Sequence, residues 1–128
     1  MEALRTLIVD DSPVMRKIVA RTLRQAGIVI AQVIEAGNGA QALDILRHET
    51  VDLVLTDVNM PVMGGLELVR QIQALDCARG VPVLMMTTED SEPQVLAALS
   101  CGVKGFIRKP FTPEQMKRHV LPLLPKAS

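Results

Sequence analysis

The segment Val51-Asp52-Leu53-Val54-Leu55-Thr56-Asp57 starts as a short apolar run and closes on a carboxylate. Its apolar residues are nearly continuous rather than alternating, which suits a strand covered on both faces. Four more runs of this kind are spaced along the chain: Leu7-Ile8-Val9, Val29-Ile30 to Val33-Ile34, Val81-Pro82-Val83-Leu84-Met85-Met86, and Val103 to Ile107. The segments between them have helical spacing. In the first, Val14, Met15, Ile18, Val19, Leu23 and Ala26 fall on one face, and Arg16, Lys17, Arg21 and Arg24 fall largely on the other. Ser12 is placed to cap that helix, Pro13 suits its first turn, and Gly27 suits its end. Asn38 is the expected cap of the second helix. Thr112-Pro113-Glu114-Gln115 reads as a capping box for the last. Pro122 interrupts the apolar pattern Met116, Val120, Leu123, Leu124, so that helix should kink or end near His119 to Leu121. Strand and helix alternating over short connections predict an α/β fold, a doubly wound five-stranded parallel sheet with helices on both faces.

The 128 residues suit one domain, expected over 1–128, and five βα units leave no room for an output domain. Fourteen basic residues balance fourteen acidic ones, which argues against a nucleic-acid binder, as does the absence of Trp and Tyr. With 48% hydrophobic residues the chain is no candidate for disorder. No stretch approaches the roughly 18 apolar residues of a membrane helix, so no membrane insertion is expected. Cys77 and Cys101 form no CxxC and read as reduced cytoplasmic thiols. His48 and His119 lack ligand spacing and read as solvated helix residues.

In such a sheet, function gathers beyond the carboxyl ends of the strands. The first run ends in Asp10-Asp11, the third in Thr56-Asp57, the fourth in Thr87-Thr88 and the fifth before Lys109-Pro110, while the second closes near Glu35-Ala36 at the rim. Three carboxylates, hydroxyls and an ammonium thus converge on one edge. Two carboxylates about 4 Å apart repel by roughly 4 kcal/mol at an effective dielectric of about 20. Such a cluster raises a pKa or binds a cation, and hard oxygen ligands favour Mg²⁺ or Mn²⁺. A metal beside a carboxylate, a lysine and a hydroxyl makes a phosphoryl-transfer site, with Asp57 as nucleophile and Lys109 and Thr87 on peripheral oxygens. No Walker loop is present, so ATP is not the expected donor.

The ordered set Asp10-Asp11, Asp57, Thr87 and Lys109-Pro110 resembles the receiver domain of two-component response regulators. Asp57-Val58-Asn59-Met60-Pro61-Val62-Met63-Gly64-Gly65 is similar to the family's phosphoacceptor loop. Gly102 to Phe106 and Lys109-Pro110-Phe111 are similar to its fifth strand and following turn. Within the family the chain looks most like a stand-alone, CheY-like chemotaxis regulator. The resemblance implies a flavodoxin-like sheet in the order 2-1-3-4-5. It implies that Asp57 accepts a phosphoryl group from a phosphohistidine on a sensor or chemotaxis kinase, or on a histidine-phosphotransfer protein. Mg²⁺ would be held by Asp10, Asp11, Asp57 and the backbone carbonyl of Asn59, and the lysine–proline bond is commonly cis. Thr87 and Phe106 would act as the switch that reshapes the surface of the fourth helix, fifth strand and fifth helix for a downstream target. Because Phe106 lacks a hydroxyl, its inward rotamer is expected to be populated before phosphorylation. Asn59 and Glu89, both polar, imply fast autodephosphorylation; a phosphatase partner is also compatible with the family.

Some positions depart from the enteric chemotaxis pattern. Glu89-Asp90-Ser91-Glu92-Pro93 is acidic where enteric proteins carry lysines that meet the flagellar switch, and Val58 and Gly64 also differ. A flagellar target is therefore a weaker expectation than phosphorylation. The basic face of the first helix is either a solvated surface or an electrostatic dock for an acidic phosphotransfer partner. Two rival functions use related chemistry. A haloacid-dehalogenase-type phosphatase usually has a second acid two residues past its nucleophile, where this chain has Asn59. A phosphorelay shuttle receiver shares every motif, and the polar Asn59 and Glu89 weigh against it.

Overall fold

The computed structural model describes residues 3–78, 80–88, 93, 97 and 102–124. In chain order it contains β1 (Leu4–Val9), α1 (Pro13–Gln25), β2 (Ile30–Ala36), α2 (Gly39–His48), β3 (Leu53–Asp57), α3 (Gly65–Ala74), β4 (Val83–Thr87), β5 (Gly105–Arg108) and a C-terminal helix (Pro113–Val120). The strands form one parallel sheet in the order β2-β1-β3-β4-β5, as expected. The expected fourth helix, between β4 and β5, falls largely outside the described residues, as do Glu89 and Cys101.

Two apolar layers hold the sheet. On one face Leu7, Val9, Val54 and Met85 pack against Leu43 and Leu46 of α2 and Leu68, Val69 and Ile72 of α3. On the other, Ile8, Leu53, Leu55, Leu84 and Met86 pack against Val19 and Leu23 of α1 and Met116 and Val120 of the C-terminal helix. Successive strand residues point to opposite faces, so a continuous apolar run feeds both layers at once. That description fits β3 and β4, which are buried throughout apart from Asp57. The edge strands β2 and β5 are covered only in part.

The caps follow the local sequence. The Ser12 hydroxyl accepts from the Met15 N–H, with Pro13 in the first turn, and Gly27 adopts φ 85° just past the end of α1. Asn38 caps α2, and Thr112 with Gln115 forms the capping box. The C-terminal helix stops at Val120, and Leu121–Leu123 make a single 3-10 turn around Pro122. The face assigned to α1 needs correction. Val14 is 67% and Ile18 44% exposed, while Val19, Ala20, Thr22 and Leu23 are buried. At about 100° per residue, Val14 lies roughly 140° around the helix from Val19. The buried stripe is narrower than the run of apolar residues.

Candidate functional site

Sheet register assembles the site. Val9 pairs with Thr56, so Asp10 and Asp57, each one residue further on, emerge side by side. Asp57 pairs with Met86, and Thr87 with Arg108, which brings Thr87 and then Lys109 to the same edge. Backbone bonds fasten the corners: the Asp10 N–H donates to the Ala36 carbonyl at 3.0 Å, and the Lys109 N–H to the Thr87 carbonyl at 2.8 Å. Carboxylate oxygens of Asp10, Asp11 and Asp57 lie within 4.8 Å of one another. Asp10 is buried, Asp57 half-buried and Asp11 exposed, so the cluster opens to solvent on one side. Thr87 is buried beside it at the end of β4.

Lys109 ties the cluster together. Its Nζ donates to Asp10 Oδ2 at 3.2 Å and stands 3.4 Å from Asp57 Oδ1. Asp10 Oδ1 accepts from the Ser12 N–H at 2.9 Å, and Asp57 Oδ1 from the Val58 N–H at 2.8 Å. One ammonium therefore faces two carboxylates, with a third nearby. Burial holds the Asp57 carboxyl above its ordinary value; the Asp10 charge adds to this, while Lys109 and the Val58 N–H oppose it. Lys109–Pro110 is cis, as the resemblance implies. Among the described residues the donor set is all hard oxygen, with no His or Cys in the cluster, which fits a small divalent cation of the Mg²⁺ type.

The edge thus gathers Asp10, Asp11, Asp57, Thr87 and Lys109 from four strand ends. Asn59 lies two residues past Asp57 on the exposed part of the following loop, and Glu89 lies outside the described residues. Phe106 is 41% exposed and lines a cavity of about 290 Å³ with Pro110, Gln115 and His119. The ring is thus partly exposed rather than turned into the core in this conformation. On the edge strand β5, Ile107 takes the buried side, and Phe106 and Arg108 alternate outward.

Two features escaped the sequence reading. Arg16 is no solvated face residue. Its guanidinium donates to Glu35 at 2.8 Å and to the Asp10 backbone carbonyl, bracing α1 against the ends of β1 and β2. Glu35, an acid closing an edge strand, was the available signal. The second feature is Gly39, whose N–H donates to the Met63 carbonyl at 2.9 Å and joins α2 to the loop after β3.

The sequence profile described as the response regulator receiver domain matches residues 6–121. The chain belongs to the response regulator receiver family. This receiver is 43% identical over 115 residues to the chemotaxis protein CheY homolog of Campylobacter jejuni, covering 89% of this chain and 87% of that protein. Among solved structures, the chemotaxis response regulator CheY4 of Vibrio cholerae superposes with a TM-score of 0.83 at 34% identity, covering 96% of this chain and 100% of that one. The receiver domain of a Pseudomonas aeruginosa sensor histidine kinase, solved with a magnesium ion coordinated in its active-site cleft, superposes at 0.78 with 26% identity. That match covers 91% of this receiver and 93% of the other. The chain is a CheY-like receiver, consistent with a chemotaxis response regulator, and thus a signalling phosphoacceptor of the two-component type. No helix among the described residues is long and apolar enough to cross a membrane.

Proposed function

We propose that Asp57 is the residue that takes the phosphoryl group. The observation that carries this is Lys109 Nζ lying against both Asp10 and Asp57 within a three-carboxylate cluster. An Asp57 oxygen attacks the phosphorus of a phosphohistidine on a histidine kinase or a histidine-phosphotransfer protein. The P–N bond breaks, its electron pair leaves with the imidazole, which takes up a proton, and an aspartyl phosphate forms. The Val58 N–H orients the carboxylate, the Lys109 ammonium balances charge on a peripheral oxygen, and the Thr87 hydroxyl donates to another. The side chains of Asp10, Asp11 and Asp57 and the backbone carbonyl of Asn59 would hold Mg²⁺ or Mn²⁺, which when bound offsets negative charge on the transferring group. The magnesium in the related Pseudomonas receiver supports that assignment.

The same groups assist hydrolysis of the aspartyl phosphate, with polar Asn59 and Glu89 flanking the path of water and giving a short lifetime. Thr87 and Phe106 relay the phosphorylated state to the surface around β5 and the C-terminal helix. A downstream protein, the flagellar switch being one candidate, binds one state better than the other. The receiver acts in the cytoplasm. Incubation with Mg²⁺ and acetyl phosphate tests the assignment. Wild type should take up label and Asp57→Ala should take up none. Equal labelling of the two proteins would defeat it, and a phospho-form lasting many minutes at neutral pH would defeat the short lifetime.

A further inference from the structure

We infer that Gly39 is a positioning residue for the loop 58–64, which joins β3 to α3 and carries Asn59. This rests on the phosphoacceptor assignment above and adds a residue outside the acidic cluster. Gly39 is buried in the first turn of α2 and donates its N–H to the Met63 carbonyl at 2.9 Å. A Cβ at position 39 would lie 2.7 Å from Met63 Cγ and 2.9 Å from both Met63 O and Sδ. Its φ lies outside the left-handed region, so glycine is needed here for room and not for backbone freedom. The loop therefore rests directly on bare α2 backbone.

The other end of the loop is closed as tightly. The Gly65 N–H donates to the Val58 carbonyl at 2.8 Å, and a Cβ on Gly65 would collide with the Asp57 carbonyl oxygen. Between these two ties Val62 adopts φ 68°, a left-handed conformation that disfavours a β-branched residue. Its side chain is 85% exposed, so packing of that side chain does not impose the conformation. A backbone held this way needs constraints on both sides. The neck at Val58 and Gly65 supplies one, and the Gly39–Met63 contact supplies the other. Asn59 lies between them, so a shift at Met63 in so short a closed loop must be shared by the Asn59 carbonyl. Gly39 thus sets the position of a metal ligand from a different helix.

The test compares wild type, Gly39→Ala, Met63→Ala and the double variant by calorimetric Mg²⁺ titration, with thermal melts and acetyl phosphate labelling in parallel. Gly39→Ala should weaken Mg²⁺ binding by about tenfold, the scale seen when a group that orients a ligand is lost. The crowding destabilises and the better helix propensity of alanine offsets it only in part, so the melting temperature should fall modestly while the fold is kept. Met63→Ala removes the two side-chain atoms that crowd position 39 and leaves the backbone carbonyl, so the double variant should recover part of the affinity. In wild type, Mg²⁺ should also slow hydrogen exchange of the Gly39 amide severalfold, a readout that needs no variant to fold. Wild-type affinity in Gly39→Ala, no recovery in the double variant, or exchange at Gly39 indifferent to Mg²⁺ overturns the inference alone. A wild type that neither binds Mg²⁺ nor takes label overturns the phosphoacceptor assignment, and the role of Gly39 with it.

Discussion

Asp57 is held between opposing influences. Burial raises its pKa most, Asp10 raises it further, and Lys109 with the Val58 N–H only partly compensate. The folded carboxyl therefore binds its proton more tightly than the unfolded one, whose ordinary value is 3.8. Below that value both states are protonated and the site costs nothing. As pH rises past the folded value, ionised Asp57 subtracts stability from the metal-free protein. Asp57→Asn without Mg²⁺ should therefore melt above wild type at pH 7, and the two should converge in acid. Melts as a function of pH check this, and an Asp57→Asn variant less stable than wild type at pH 7 would contradict it. The same imbalance means that a bound cation relieves the site, so Mg²⁺ should raise the wild-type melting temperature more than that of Asp57→Asn.

At the scale of elements, the C-terminal helix shows a local rule overriding a pattern. Met116, Val120, Leu123 and Leu124 repeat at helical spacing, yet the helix ends at Val120. Pro122 has no N–H to donate back and its ring crowds the preceding turn. Leu124 is already extended at ψ 150°, as expected of a residue ahead of Pro125. Pro122→Ala should lengthen the helix by about one turn, to around Leu123, since Pro125 still keeps Leu124 extended, visible as helical backbone chemical shifts at Leu121 to Leu123. Unchanged shifts at Leu121 and Leu123 would show that tertiary packing, and not the proline, ends the helix. Helix α1 shows the converse, with apolar residues beyond what packing can use. Val14 and Ile18 remain exposed because the sheet and the C-terminal helix cover a stripe centred on Val19 and Leu23.

Across the whole molecule, charge is balanced in number but not in place. Lys17, Arg21 and Arg24 line a groove of about 610 Å³ between α1 and β2, floored by Ala20 and Val33, while Arg16 is spent on Glu35 and Asp10. Docking of an acidic phosphodonor on this side should make phosphotransfer depend on ionic strength. Reversing Lys17, Arg21 and Arg24 together to Glu should slow transfer from a phosphorylated histidine-phosphotransfer protein by about tenfold at low salt. The difference should shrink at high salt, and labelling by acetyl phosphate should not change. Transfer that is equally fast in the variant would leave these residues as a solvated surface.

Strand runs, caps, the proline stop and the convergence of Asp10, Asp11, Asp57, Thr87 and Lys109 were all readable along the chain. Each depends on neighbours a few residues away, or on the rule that parallel strands deliver their carboxyl ends to one edge. Which apolar residues of α1 are buried, which way Phe106 faces, and that Arg16 and Gly39 support the site were not readable. Those depend on partners distant in sequence, such as Arg16 on Glu35 and Gly39 on Met63. Spacing reports the period of an element but not the angle at which another element meets it, and that angle exists only once the sheet has formed.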